Sequence, residues 1–348
     1  MKTKILYICV ILLAIFASCT DDWPVQSHKV GEECWVTLDF GHQNFESVEV
    51  LSRYALSDVQ ESLVNNLYVY VFSSTGERIF SHYFDASNKK SSTNEVFSSE
   101  ENCWCVSNRT TGNTNKTTGI VKMKVPAVTQ GKLFLIANVD NTTLRVSSDK
   151  LSTIKNLTEL QGVTAYLAED ITARTPGFLM VAEETVNITK NSEASVITIV
   201  NDNDSDNKAD LIRLDAKVEM NVKVAEGGDA TTEVDGVKQT VKAFVPKGWQ
   251  VMNLPRYSNL TLQDQDNETA EGYFNSTELH FEKTTYTESK NPVNSFVFYM
   301  LENRETAKNN VSDYHDRDVR IKNSDGSYNT TNGLWANAPE MGTYMVIK

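Results

Sequence analysis

Between Leu211 and Val224 apolar and polar side chains alternate with a period of two. Ile212, Leu214, Ala216, Val218, Met220, Val222 and Val224 take one set of positions; Arg213, Asp215, Lys217, Glu219, Asn221 and Lys223 take the other. Successive residues of an extended chain point to opposite faces, so the segment has one apolar and one charged face. A helix, with 3.6 residues per turn, would scatter the same residues around its whole surface. A parallel strand covered by helices would be apolar on both sides, so the pattern predicts a long, half-buried strand of an antiparallel sheet.

Shorter segments of the same kind recur along the chain. Cys34 to Phe40 alternates around Val36 and Leu38, and Leu67 to Phe72 is a β-branched and aromatic run closed by the turn Ser74-Thr75-Gly76. Ile120 to Val125, Leu133 to Ala137, Phe178 to Val181 and Val196 to Val200 follow, then Val241 to Val245, the turn Pro246-Lys247-Gly248, Trp249 to Asn253, Ser295 to Met300 and Thr343 to Lys348. Such runs between Asn/Ser/Thr-rich turns predict strands. One helix is expected from Asp149 to Leu160: Leu151, Ile154, Leu157 and Leu160 fall about three residues apart, Asp149 supplies a cap and Gly162 a stop. Many short strands with one helix predict an all-β protein built of sandwiches.

The 348 residues suffice for two domains, each burying its own core. Asn201-Asp-Asn-Asp-Ser-Asp-Asn-Lys208 is too hydrophilic to pack and reads as a boundary. The expected organisation is a signal peptide over 1–18, an acidic linker over 19–33, a first β-sandwich over 34–200, a polar linker over 201–210 and a second β-sandwich over 211–348. The last apolar strand runs to Lys348 with no turn after it, which suggests that the second sandwich continues beyond this sequence.

The first residues carry an export signal. Lys2 and Lys4 precede an uncharged apolar run from Ile5 to Ala17, too short to span a bilayer. It ends in Phe16-Ala17-Ser18-Cys19, which resembles a bacterial lipobox: small residues before a cysteine let a peptidase cut ahead of the lipidated thiol. The expectation is a lipid on Cys19 and anchorage in a membrane, because two or three acyl chains hold a protein almost permanently. Thr20-Asp21-Asp22 reads either as an acidic export tag or as a solvated linker.

The net charge of −13 argues against nucleic acid and against a polybasic membrane patch. Of five cysteines, Cys9 leaves with the signal and Cys19 is lipidated; Cys34, Cys103 and Cys105 remain, too few for a disulfide scaffold, and read as packing or a single bridge. Asp202, Asp204 and Asp206 have the spacing of a calcium loop, but Asn207 stands where that loop needs glycine and Arg213 where it needs glutamate. The histidines at 28, 42, 82, 280 and 315 are scattered, and Tyr314-His315-Asp316-Arg317-Asp318 reads as a solvated loop. Glu183 and Glu184 are adjacent, hence on opposite faces of a strand. No nucleophile elbow, phosphate loop or zinc helix motif occurs. Neither a catalytic residue nor a metal or cofactor is expected, and the chain is read as a non-enzyme.

Several segments, taken in order, resemble the fimbrillin family of Bacteroidetes, the FimA-type pilus subunits. They are the lipobox at Cys19; Trp35-Val-Thr-Leu-Asp-Phe40; Arg53 ahead of Leu63-Val-Asn-Asn-Leu-Tyr-Val-Tyr-Val-Phe72; Lys132-Leu-Phe-Leu-Ile-Ala-Asn138; Phe178-Leu-Met-Val181; Arg213-Leu-Asp-Ala-Lys-Val218; and Phe298-Tyr-Met-Leu-Glu-Asn303. The resemblance implies two tandem transthyretin-like β-sandwich domains, anchorage in the outer membrane through the lipid on Cys19, and a structural role in surface fimbriae, supporting adhesion. It also implies a proteolytic cut after Arg53 that releases the first strand, Cys34 to Phe40, so that a strand donated by another subunit fills the vacated groove. Arg53 is the one arginine between Cys19 and Arg78. Whether the subunit belongs to stalk, tip or anchor stays open. The alternative is a surface glycan-binding lipoprotein, which needs two or three exposed rings on one platform; Trp104, Trp249 and Trp335 are far apart in sequence.

Overall fold

The computed structural model describes residues 31–42, 58–107, 118–139, 144–146, 148–167, 171–172, 177–200, 206–223, 230–234, 237–241, 247–261, 272–280, 293–303, 323–327 and 341–348. The protein is all-β, as its alternating segments require.

Eleven strands belong to the first half of the chain: β1 (Glu33–His42), β2 (Asn66–Phe72), β3 (Arg78–Asp85), β4 (Cys103–Ser107), β5 (Thr118–Pro126), β6 (Val128–Ala137), β7 (Leu144–Arg145), β8 (Thr164–Leu167), β9 (Met180–Thr189), β10 (Val196–Ile199) and β11 (Lys208–Arg213). Nine of them form one sheet in the order β3-β2-β6-β9-β11-β1-β5-β4, with β10 added on β9. In that order four strands lie between β2 and β5, yet Leu67, Val69 and Val71 of β2 share one core with Val121, Met123 and Val125 of β5. The sheet therefore doubles over into a two-layered sandwich. The hinge is β11, which lies parallel to β1 from Lys208 to Leu211 and antiparallel to β9 at Ile212 and Arg213.

The middle strands are buried on both faces. Leu133 and Leu135 of β6 belong to the sandwich core, whereas Phe134 and Ile136 join a second core with Tyr70 and Phe72. That second core continues into the other half of the chain through Trp249, Val251, Phe296, Phe298 and Leu301. There β12 (Asp215–Lys223) pairs with β20 (Val293–Leu301) over nine positions. A hairpin joins β13 (Ala230–Val234) to β14 (Val237–Val241). β15 (Gly248–Met252) lies between β19 (Leu279–His280) and β21 (Tyr344–Ile347). β16 (Leu254–Pro255) pairs with β18 (Tyr273–Phe274), and β17 (Tyr257–Asn259) crosses over to extend the β8–β7 ladder.

Three expectations are corrected. The helix expected from Asp149 to Leu160 is two, Ser148–Thr153 and Leu157–Gln161. Its middle is diverted to the β2–β3 turn: the Arg78 amide donates to Lys155 O at 3.0 Å and the Leu157 amide to Gly76 O at 2.8 Å, while Asn156 caps the second helix through the Glu159 amide. Short helices at Asp58–Glu61 and Thr93–Ser98, and a 3-10 turn at Ala86–Asn88, were not expected. Nor is 201–210 a linker throughout, since Lys208 opens β11 and Ala209 and Leu211 are fully buried in the first core. The single strand expected from Leu211 to Val224 breaks at Leu214. Ala209 and Leu211 face the first core, Leu214, Val218, Met220 and Val222 pack on the second, and the adjacent apolar pair Leu211-Ile212 marks the slip in phase.

Candidate functional site

The first strand is a central one. β1 pairs antiparallel with β5 from Glu33↔Pro126 to Gly41↔Thr118, and parallel with β11 from Asp39↔Lys208 to His42↔Leu211. Its alternation places Cys34, Val36, Leu38 and Phe40 inward, and Leu38 and Phe40 are 1% and 0% exposed. Phe40 fits because position 119 is glycine: a Cβ there would lie 2.3 Å from the ring's Cζ. Trp104 stacks against Phe40 with centroids 5.9 Å apart. Burying an apolar side chain of this size contributes about 1.5–3 kcal/mol. Val36, Leu38 and Phe40 therefore supply most of the gross burial energy that offsets the entropy of ordering β1.

The outer face of β1 is charged and held more lightly. Lys124 pairs with Glu33 at 3.2 Å, Lys122 lies 5.2 Å over the Trp35 ring, and Lys190 pairs with Glu32 just ahead of the strand. The Asp39 carboxyl is raised above its ordinary pKa by partial burial and by the Asp206 carboxylate, with Lys208 offsetting part of the shift.

The chain that resumes at Asp58 is pinned separately from β1. Gly177 donates its amide to Gln60 O at 3.2 Å. Asn138, in the left-handed region at φ 61, donates to Leu63 O and Phe178 O and accepts from the Asn65 amide at 2.7 Å. Glu61 is 3% exposed and is the hub of a buried polar knot. Its carboxylate pairs with Arg213 at the end of β11 and with Lys217 of β12 at 3.1 Å, and it accepts from the Tyr299 hydroxyl of β20 at 3.0 Å. Arg213 also lies 5.5 Å over the Phe178 ring. One carboxylate thus ties the segment after β1 to both halves of the molecule. Arg78 is engaged as well, its guanidinium donating to Ile154 O.

Cys19 and Arg53 lie outside the described residues, as do Trp335 and the Tyr314–Asp318 cluster. Cys34, Cys103 and Cys105 are buried free thiols, with burial pushing the Cys105 pKa up. Cys103 and Cys105 occupy the face of β4 opposite Trp104 and pack with Val96, apart from Cys34 in the sandwich core. Among the described residues no group of three or more His, Cys, Asp and Glu side chains is placed to hold a metal ion. Trp104 and Trp249 are core residues, at 1% and 4% exposure. Sequence reasoning missed Glu61: a lone glutamate in a polar stretch gives no signal of burial, and its partners lie far along the chain.

No family model matches the chain, and no curated protein does. Among solved structures it is similar to the tip fimbrial protein Mfa3 from Porphyromonas gingivalis with C-terminal truncation, at 15% identity over 90% of this chain and 81% of that one, TM-score 0.44. It is also similar to a fimbrial assembly protein from Parabacteroides distasonis, at 15% identity over 78% and 76%, TM-score 0.36. A third is the fimbrial anchor protein Mfa2 from Porphyromonas gingivalis, at 9% identity over 78% and 73%, TM-score 0.32.

Proposed function

We propose that this chain is a fimbrial subunit, exported as a lipoprotein on Cys19 and assembled when a cut after Arg53 removes its first strand and a strand from another subunit takes the place. The observation that carries the reading is the position of β1. It is the first described strand of the chain and a central one in the sheet, so an N-terminal cut withdraws a complete inner strand while Gln60 onward stays pinned by its own bonds. The withdrawal opens the edges of β5 and β11 and the floor that Val36, Leu38 and Phe40 covered, a template for strand addition. Without a replacement the core around Trp104 would face water, so cleavage and assembly are coupled by the hydrophobic effect. The protein is then a building block at the cell surface, with no cofactor required, and its partners are sibling subunits and, through adhesion, a host or bacterial surface.

Limited trypsin digestion of the full exported chain tests the reading. Cleavage after Arg53, followed by SDS-resistant ladders that Arg53→Ala abolishes, is the expected result. A product that loses residues up to Arg53 and stays monomeric contradicts assembly by strand exchange.

A further inference from the structure

The short sheet that joins the two halves of the chain carries an amphipathic outer face. Arg145 of β7, Tyr166 of β8 and Tyr257 of β17 stand directly opposite one another across three strands. Directly opposed residues project on the same side of a sheet, so the three form one row. Two residues along, Thr164 opposes Asn259, and both are exposed. The reverse face of β7 and β8 is the core face, with Leu144, Ala165 and Leu167 buried. Neither Tyr166 nor Tyr257 packs into that core; both are half-buried, and Arg145 is exposed.

The two rings are held in place. Their centroids are 5.2 Å apart and their planes are tilted by 56°. Arg256 donates to the Tyr166 hydroxyl at 2.9 Å, lies 5.8 Å over the Tyr166 ring, and is braced against the Phe274 ring at 4.9 Å. Gly272, at φ +141, lets the backbone approach Tyr257: a Cβ there would lie 2.8 Å from Cε2 of the ring. An aromatic pair with the Arg256 guanidinium on one ring, Arg145 in register on the same face, and a hydroxyl and an amide two residues along stands out in a chain of net charge −13.

We propose that this face binds a carboxylate-bearing glycan. The apolar C–H face of a pyranose stacks on Tyr166 and Tyr257, Thr164 and Asn259 exchange hydrogen bonds with its hydroxyls, and Arg145 and Arg256 take the carboxylate. The guanidinium fork matches a carboxylate in two-point geometry, which a neutral sugar cannot use. Tyrosine supplies the stacking area at low entropic cost because it has few rotatable bonds. The site draws on both halves of the molecule, and it stands whether or not the first strand is exchanged.

Titration calorimetry on the full exported chain tests it, with trigalacturonate and a hyaluronan tetrasaccharide as acidic probes and their carboxyl-reduced forms as neutral ones. Binding of at least one acidic probe is expected, weakened at least about tenfold by carboxyl reduction, by Arg145→Ala and by Tyr257→Ala, and unchanged by Tyr83→Ala on β3, which belongs to another sheet. Tyr166→Phe keeps the stacking ring, so it should retain most of the affinity while Tyr166→Ala loses it. Near-UV circular dichroism identifies variants that fold, and Arg145→Ala, at an exposed position, supplies one that does. Failure of both acidic probes to bind, equal binding of their reduced forms, or unchanged affinity in Arg145→Ala and Tyr257→Ala would overturn the proposal.

Discussion

The two halves of the chain solve the same problem unequally. The first closes its core with a strand drawn from its own N-terminus, and every inward residue of β1 is almost wholly removed from water. The second spreads its strands over ladders of two or three. The apolar face of β12 stays half-buried at Val218, Met220 and Val222, and an open cleft of about 420 Å³ lies between Val218, Val251, Phe298, Met300, Tyr344 and Met345. In one half, therefore, a single strand controls access to the core, while in the other no described strand fills the equivalent space. The difference concentrates the energetic cost of rearrangement in β1.

Substitutions sharpen or break that contrast. Phe40→Ala, which empties the space against Trp104, should cost about 3–5 kcal/mol in denaturant unfolding, whereas Met300→Ala at the open cleft should cost far less. Equal losses would show that β1 is not the decisive strand. Glu61→Ala, which leaves Arg213 and Lys217 facing each other without their carboxylate, should cost about 3–5 kcal/mol and separate the unfolding of the two halves into distinct transitions. A single unchanged transition would remove Glu61 from the connection.

Gly119→Val drives methyl groups into the Phe40 ring and should cost about 1–3 kcal/mol, with part of the loss recovered in the Phe40→Ala background. Strict additivity in that cycle would contradict the fit. The smallest effect concerns pH. Because the folded-state pKa of Asp39 is raised, its contribution to stability falls as pH rises through the carboxylate range, and the penalty is full above it. Asp39→Asn should stabilise the protein slightly at neutral pH and match the parent in acid below that range. A gain that persists there would assign the effect to packing instead.

Period-two alternation made most of the strands legible, since β1, β2, β6, β20 and β21 are segments in which burial on one or both faces writes itself into residue choice. What remained hidden were decisions made at long range. The break at Leu214 was signalled only by the adjacent Leu211-Ile212 pair, and Ala209 looked like linker because its neighbours Lys208 and Asp210 pair with each other at 3.1 Å across the outer face. The helix split because residues 155–157 bond to the β2–β3 turn, a choice made by tertiary structure over local spacing. For the candidate site, the removable strand could be read from Val36, Leu38 and Phe40, but its central place could not, because that depends on a partner late in the chain. The Tyr166–Tyr257 row was invisible for the same reason: β8 and β17 become neighbours only when the halves meet.

The parallel pairing of β1 with β11 sets an order of events. A chain emerging N-terminus first presents residues 33–42 long before Lys208 and Leu211 exist to flank them, so the strand that closes the first core is among the last to be secured. During that interval β1 can pair with β5 on one side, while its other edge stays open. A partly made chain therefore carries an open strand edge, a template for pairing with any other strand, until β11 arrives to cover it.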